Sequence, residues 1–341
     1  MNPIEDATNT TLVIFAASAG NDGGYSMIAT SPYGSATSQV AMLTVTPVEN
    51  LASGLVGHWP LDTLGFTTPD VTPNMNDLFQ ANMDAINIEE GRFISALRFN
   101  GADEYVARTN DATTGLPLYG SPAYSVAMWV RGVGTGQNDR RVWSESADTN
   151  NSPLMTLGTH SAGADGSVDI FVRGNSGANP INHRRTSLIA FDGSWHHVAW
   201  VDNNGFGRVY VDGVPGTNNF NYARVPLQGN IVSLGAVVRT NVVAQYSGLI
   251  DDVHAWRRSL SEEEVRLVMN QIRVSSLELA GGNVVLTFAT ANTAATHRIE
   301  ERSVVASGFW SEVSGVNFSA PNGNLITATF PLPMGNQRFY R

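Results

Sequence analysis

Residues 195–256 constrain the fold more than any other stretch. They read WHHVAWVDNNGFGRVYVDGVPG, then a looser segment, then SLGAV and GLIDDVHAW. Apolar and polar residues alternate on both sides of Asp212 and Gly213. A period of two is that of a strand with one buried face, and an Asp-Gly pair supplies the positive φ angles of a primed turn. The pattern predicts antiparallel strands joined by a tight turn. GLIDDVHAW is a further strand, and SLSEEEV after it is a helix start. There Ser261 and Glu264 have the spacing of a capping box.

The remainder of the chain fits this β reading. At 341 residues it is too long for one small core. Charged residues make up 15%, below the usual share of about a quarter. With 33 glycines and few helical runs, the composition favours short strands and many turns. A net charge of −10 argues against nucleic acid, whose phosphates need clustered Lys and Arg, and against anionic membrane surfaces. The absence of cysteine excludes disulfides and thiolate metal sites. No apolar run reaches the length of a membrane-spanning helix. The start, MNPIEDATNT, lacks the basic and apolar regions of a signal peptide. Either the protein is cytoplasmic, or the chain is a piece of a longer secreted protein, placed outside the cell or at its surface.

Taken in order, residues 1–47 carry three expected strands, at 12–15, 25–30 and 40–45, separated by NDGG and PYGS. They resemble the last three strands of an immunoglobulin-like sandwich. Asn21, Gly23 and Tyr25 stand in its D-x-G-x-Y turn, with Tyr25 as the corner tyrosine. The first half of such a sandwich is missing. Residues 48–54 read as a linker, residues 55–271 as the main domain, and residues 273–341 as a small C-terminal β-sandwich similar to fibronectin type III modules.

The motifs GLVGHWPLD, ALRFNGADEYV, YSVAMWVRG, GSWHHVAWV, VYVDGV and GLIDDVHAWRRSLSEEE follow one another through the main domain. In this order they resemble the laminin-G-like, concanavalin A-like jelly-roll domains of bacterial extracellular proteins. The resemblance implies an all-β jelly-roll sandwich, a fold that hosts lectins, glycosidases and adhesion modules. It also implies a structural Ca²⁺, with Asp251 as a ligand and Asp62 supplying a second oxygen. Asn100 stands where the family commonly has Asp, and Asn100 or Asp103 could contribute a further oxygen. The alternative is that Asp251 and Asp62 accept hydrogen bonds from turn backbone. The position of His197 is usually His in the family, where packing is the common role. Trp59, Trp129, Trp195 and Trp256 fall in family motifs and are expected in the core.

Strict alternation places Asp251 and Asp252 on opposite faces, and does the same for His196 and His197. Neither pair then acts as a unit. The less patterned middle of the domain carries Trp143, Glu145, His160, Arg173, His183 and Arg184. Sugars are held by aromatic faces and planar polar groups, so these six are the candidate glycan contacts. Trp143 and Glu145 are two apart on one strand, hence on one face. The competing reading is ordinary strand residues, with Glu145 paired to Arg173 at the surface.

No strand carries the E-x-D-x-x-E spacing of a sandwich-type glycosidase, and there is no G-x-S-x-G, H-E-x-x-H or P-loop. The expected function is a non-catalytic carbohydrate-recognition module of a larger extracellular protein, with a glycan or the parent protein's other domains as partners. The alternatives are a structural or adhesive spacer, or a polysaccharide hydrolase with a dispersed carboxylate site. The shape and lining of the concave sheet discriminate among the three.

Overall fold

The computed structural model describes residues 4, 23–43, 50–109, 114–218, 220–302, 311–332, 339 and 340. The strand expected at 12–15 and the turn residue Asn21 lie outside the described residues. The chain divides into two compact units, Met1–Asn50 and Leu51–Arg341. In the first, Gly23–Tyr25 pairs with Ala41–Leu43, and Ile28–Ser31 forms a hairpin with Gly34–Thr37.

The second unit is built on two large antiparallel sheets, the jelly-roll sandwich expected from the sequence. The front sheet runs in the order Ile181–Ile189, Ser167–Arg173, Leu154–Thr159, Arg141–Ser146, Ile231–Leu234, Tyr105–Thr109, Leu78–Ala81, Thr67–Thr68. The back sheet centres on Ala123–Val133 and Ser247–Trp256, flanked by Asp192–Asn203 and Phe206–Val211 on one side and Ser95–Asn100 on the other. Leu55–Trp59 also pairs with Ser247–Trp256. Trp59, Trp143, Trp200, Phe99, Tyr124 and Tyr246 fill the space between the sheets.

The turns follow their local chemistry. Asp212 and Gly213, at φ 51° and 72°, join Phe206–Val211 to Val214–Pro215. A second left-handed pair, Asn204 and Gly205 at φ 53° and 89°, joins the longer strands Asp192–Asn203 and Phe206–Val211. Both pairs have positive φ at both central positions, as the right-handed twist of a hairpin requires.

The back sheet has no solvent face at its centre. Its outer side is covered by the helix Glu262–Met269, whose Val265 and Val268 pack with Trp256, Ala127, Ala199 and Tyr210. Next to this, the C-terminal four-stranded sheet (Ile272–Ala280, Asn283–Thr290, Leu325–Pro331, Asn317–Phe318) brings Ala289 and Leu325 against Phe93, Trp129 and Trp195. Trp59, Trp129, Trp195 and Trp256 therefore all pack in apolar clusters.

The front sheet is covered differently. Cross-strand register aligns Phe79, Ala107, Ser233, Ser144, Thr156 and Phe171 in one row on its outer face. A two-stranded hairpin, Val237–Val238 with Val242–Val243, lies over the middle of that row. The Ser144 and Ser233 hydroxyls both donate to the Ala236 carbonyl at 2.9 Å. Val237, Val243 and Ala244 pack on Leu154 and Phe171. Ser144, Thr156 and Ser233 are buried by this cover.

The helix starts as its sequence dictates. Ser261 Oγ accepts from the Glu264 N–H, and the Glu264 carboxylate accepts from the Ser261 N–H at 2.8 Å. Ser261→Ala should lower the unfolding free energy by about 1 kcal/mol in urea titrations.

Candidate functional site

The exposed polar chemistry of the front sheet concentrates at its outer edge, on Ser167–Arg173 and its neighbours. Alternation along SVDIFVR turns Asp169, Phe171 and Arg173 away from the core, while Val168, Ile170 and Val172 enter it. The facing strand Ile181–Ile189 is irregular. Its register slips between Arg184 and Ile181, and His183 sits there at φ 49°. Such a bulge re-aims a side chain. The His183 ring is thereby laid against Phe171, with centroids 4.7 Å apart. Its Nδ1 is 3.2 Å from Asp169 Oδ1 and 3.2 Å from Arg141 Nη2.

Arg141 organises this cluster. It is buried, donates to Asp169 Oδ1 at 2.9 Å and pairs with Asp139. A buried guanidinium held by two carboxylates is the arrangement that makes the burial tolerable. Arg173 lies beside it, with its guanidinium 5.4 Å from the Phe171 centroid. Arg173 donates to the Ser152 and Asn151 carbonyls, both at 2.9 Å. Arg239, on the covering hairpin, reaches the same Asn151 carbonyl at 3.1 Å.

Of the six candidate glycan contacts, His183 and Arg173 meet at Phe171. His160 lies in the adjoining loop, where its Nε2 is 2.6 Å from Arg185, itself paired with Asp165. Arg184 turns away to the Asn221 carbonyl at 3.3 Å. Trp143 and Glu145 require correction. They share a face, but it is the core face, and both are fully buried. The Trp143 ring centroid is 6.1 Å from that of Trp59. Glu145 accepts from the Leu118 and Tyr119 N–H groups at 2.7 and 2.9 Å and so holds the short 3₁₀ turn Leu118–Gly120. Burial pushes its carboxyl up to about 7, against the two N–H donors that pull it down. It makes no surface ion pair with Arg173. The sequence signal for the actual cluster was the alternation in SVDIFVR. Asp139, Arg141 and Arg239 had none, because only the tertiary fold brings them there.

The four residues expected to hold Ca²⁺ do not converge. Asp251 is buried and accepts from the Phe93 N–H at 2.7 Å; Asp62 accepts from the Ser95 N–H at 3.0 Å and pairs with Arg273. Asn100 and Asp103 bond to each other at 2.8 Å in an exposed turn. Desolvation raises Asp251 well above the ordinary carboxylate range, with the Asp252 charge adding to it.

The expectation that Asp251 and Asp252 point to opposite faces is also overturned. Asp252 has φ 50°, and the pairing with Ala123–Val133 shifts at this point. Ile250 and Val253 both enter the core, so both aspartates turn outward beneath the C-terminal sheet. There Asp252 Oδ1 lies 2.9 Å from His58 Nε2 and 3.6 Å from Arg273.

Among the described residues, two clusters place three potential metal ligands within 4.8 Å of one another: His58, Asp252 and His254, and Asp139, Asp169 and His183. Neither is arranged for an ion. His58 and His254 stack at 3.8 Å with ring planes 17° apart, so their nitrogen lone pairs run nearly parallel instead of meeting. In the second cluster, the Arg141 guanidinium already pairs with both carboxylates.

This double-layered sandwich, with its outer-face edge site, is of the lectin and glucanase class. Residues 100–266 match the family model of the concanavalin A-like lectin/glucanases superfamily, laminin-G type. Similar solved structures include domain 4 of an extracellular arabinanase from Geobacillus stearothermophilus in complex with arabinotriose. That domain is 23% identical at a TM-score of 0.49, over 63% of this chain and 97% of the other. The binding domain of botulinum neurotoxin serotype D is 12% identical at 0.48, over 83% and 80%. A Trypanosoma rangeli sialidase in complex with sialic acid is 17% identical at 0.48, over 64% of this chain and 33% of its own. A comparison with curated proteins finds no match. No helix among the described residues is long and apolar enough to cross a membrane.

Two outcomes follow from these placements. Trp143→Ala should destabilise the fold by roughly 3–5 kcal/mol in denaturant titrations, because it empties the core. The second outcome concerns pH. Burial lowers His254 to about 3 and His197 to about 4. An unfolded histidine titrates near 6.5, so the unfolded chain takes up these protons first as pH falls. The stability that the two neutral histidines contribute is complete above about pH 6.5 and is lost toward about pH 3. Asp251, raised by burial, works in the opposite sense. His254→Asn should therefore shrink the loss of Tm between about pH 7 and about pH 5 relative to the parent protein.

Proposed function

We propose that the jelly roll is a non-catalytic carbohydrate-recognition module of a larger extracellular protein, with its site at the front-sheet edge around His183. The observation that carries this is the partly exposed His183 ring, held from below by the buried Phe171, Arg141 and Asp169, with Asp139 and Arg173 reaching the surface beside it. An aromatic face ringed by fixed planar donors and acceptors matches a pyranose, which has an apolar face and a rim of hydroxyls. The match of residues 100–266 to a lectin and glucanase superfamily agrees with it, although such a fold does not by itself dictate a function.

The carboxylates at the site suit binding better than hydrolysis. Asp139 and Asp169 are both paired with Arg141, and Asp169 is fully buried. A glycosidase needs two carboxyl groups free to flank the scissile bond. The covering hairpin favours a second reading, that of a spacer. It closes the middle of the outer face, where an open groove would otherwise lie.

Glycan-array profiling of the folded protein separates the two. The expected outcome is a restricted set of bound glycans whose signal falls at least tenfold in His183→Ala, with Tm close to that of the parent. A folded protein that binds nothing on the array would support the spacer.

A further inference from the structure

Every one of the 20 positions counted as Lys or Arg is an arginine, and the chain is acidic overall. Arg141, Arg185 and Arg273 have carboxylate partners. Arg173 and Arg239 have none within ion-pair distance, and they converge. One comes from the end of Ser167–Arg173, the other from the covering hairpin, and both donate to the Asn151 carbonyl, at 2.9 and 3.1 Å. The loop is fixed beneath them, because Thr240 Oγ1 donates to Asn151 Oδ1 at 2.6 Å and Arg173 also holds the Ser152 carbonyl. Burial first, and then the Arg173 charge, lowers Arg239 from the ordinary guanidinium value. Two cations held side by side repel each other, and an anion between them removes the repulsion. Guanidinium is suited to this role, because its planar fork of donors matches a carboxylate or sulfate in a bidentate fashion.

The pair stands next to the Phe171–His183 platform. The Arg173 guanidinium is 5.4 Å from the Phe171 centroid, and the His183 ring is 4.7 Å from it. Apolar ring contact and paired cations are thus offered within the reach of one sugar residue. We infer that the site takes an anionic sugar, with its ring on the half-buried His183, which Phe171 backs from below, and a carboxylate or sulfate group between Arg173 and Arg239. This rests on the carbohydrate reading above and narrows it to acidic glycans. Asp139 also acts on Arg239, raising it against burial and the Arg173 charge, but it pairs with Arg141 and makes no ion pair with either arginine of the couple.

Affinity electrophoresis in native gels tests this with three probes: polygalacturonate for uronate, dextran sulfate for sulfate, and unmodified dextran. The folded protein should be retarded by at least one anionic polymer and not by dextran. Retardation should weaken as salt rises, as for any exposed ionic contact. Arg239→Gln and Arg173→Gln should each weaken it at least tenfold, while Arg208→Gln, on the back sheet, should leave it unchanged. Which anionic polymer is retained tells uronate from sulfate. A net charge of −10 works against nonspecific retention by polyanions. Arg239 lies on a surface hairpin, so its variant is a fair test if Tm holds. Anionic retardation that survives both Arg→Gln changes overturns the inference. Binding to dextran that is lost in His183→Ala but kept in both arginine variants also overturns it, and leaves the carbohydrate reading standing. No retardation by any of the three, together with a blank array, sinks both.

Discussion

The strand Ser247–Trp256 must be buried on both faces, and the rest of the molecule is arranged to permit it. It pairs with Ala123–Val133, Ser95–Asn100 and Leu55–Trp59, so it is the hub of the back sheet. One face enters the sandwich core through Ile250, Val253 and Ala255. The other carries Asp251, Asp252, His254 and Trp256, and three of those four are polar. Burying such a face without partners is costly. The chain supplies the partners from three places: His58 from the opening strand, the Phe93 N–H from the loop before Ser95–Asn100, and Arg273 from the start of the C-terminal sheet. The C-terminal β-structure is thereby tied to the jelly roll through a buried polar layer, and both fall in the compact unit Leu51–Arg341.

The bulge at Asp252 makes this layer possible. Without it, strict alternation would send one aspartate of the pair into the apolar core. With it, both meet the same set of counter-charges, and His58, His254 and Trp256 stack along the sheet surface above them. Burial holds His254 neutral, and also His197 on Asp192–Asn203, so the layer depends on these two staying unprotonated.

Local chemistry was legible in the sequence, whereas the identity of each face was not. The Asp212-Gly213 turn, the Ser261–Glu264 capping box, the alternating strands and the aromatic core positions all depend on residues near one another in the chain. The bulges at Asp252 and His183 leave no comparable local signal, and each reverses the side on which later residues fall. Trp143 and Glu145 show the same limit. Their spacing correctly put them on one face, but a pattern of period two cannot say which face is inside. Glu145 in particular looked like surface chemistry because a carboxylate usually is. Two backbone N–H groups from a distant turn account for its burial, and no window around Glu145 reveals them. The edge cluster was half visible, through His183 and Arg173, and was completed by Asp139, Arg141 and Arg239 from three other segments.

The hairpin over the front sheet also sets a geometry for anything that approaches this face. Its backbone is hydrogen-bonded to the serines beneath it, so it belongs to the folded floor and does not swing as a flap. A polymer cannot lie straight across a sheet interrupted in this way. It has to meet the protein end-on or bent around the rim. A glycan held at such a rim would be read by its termini and side branches more than by its length.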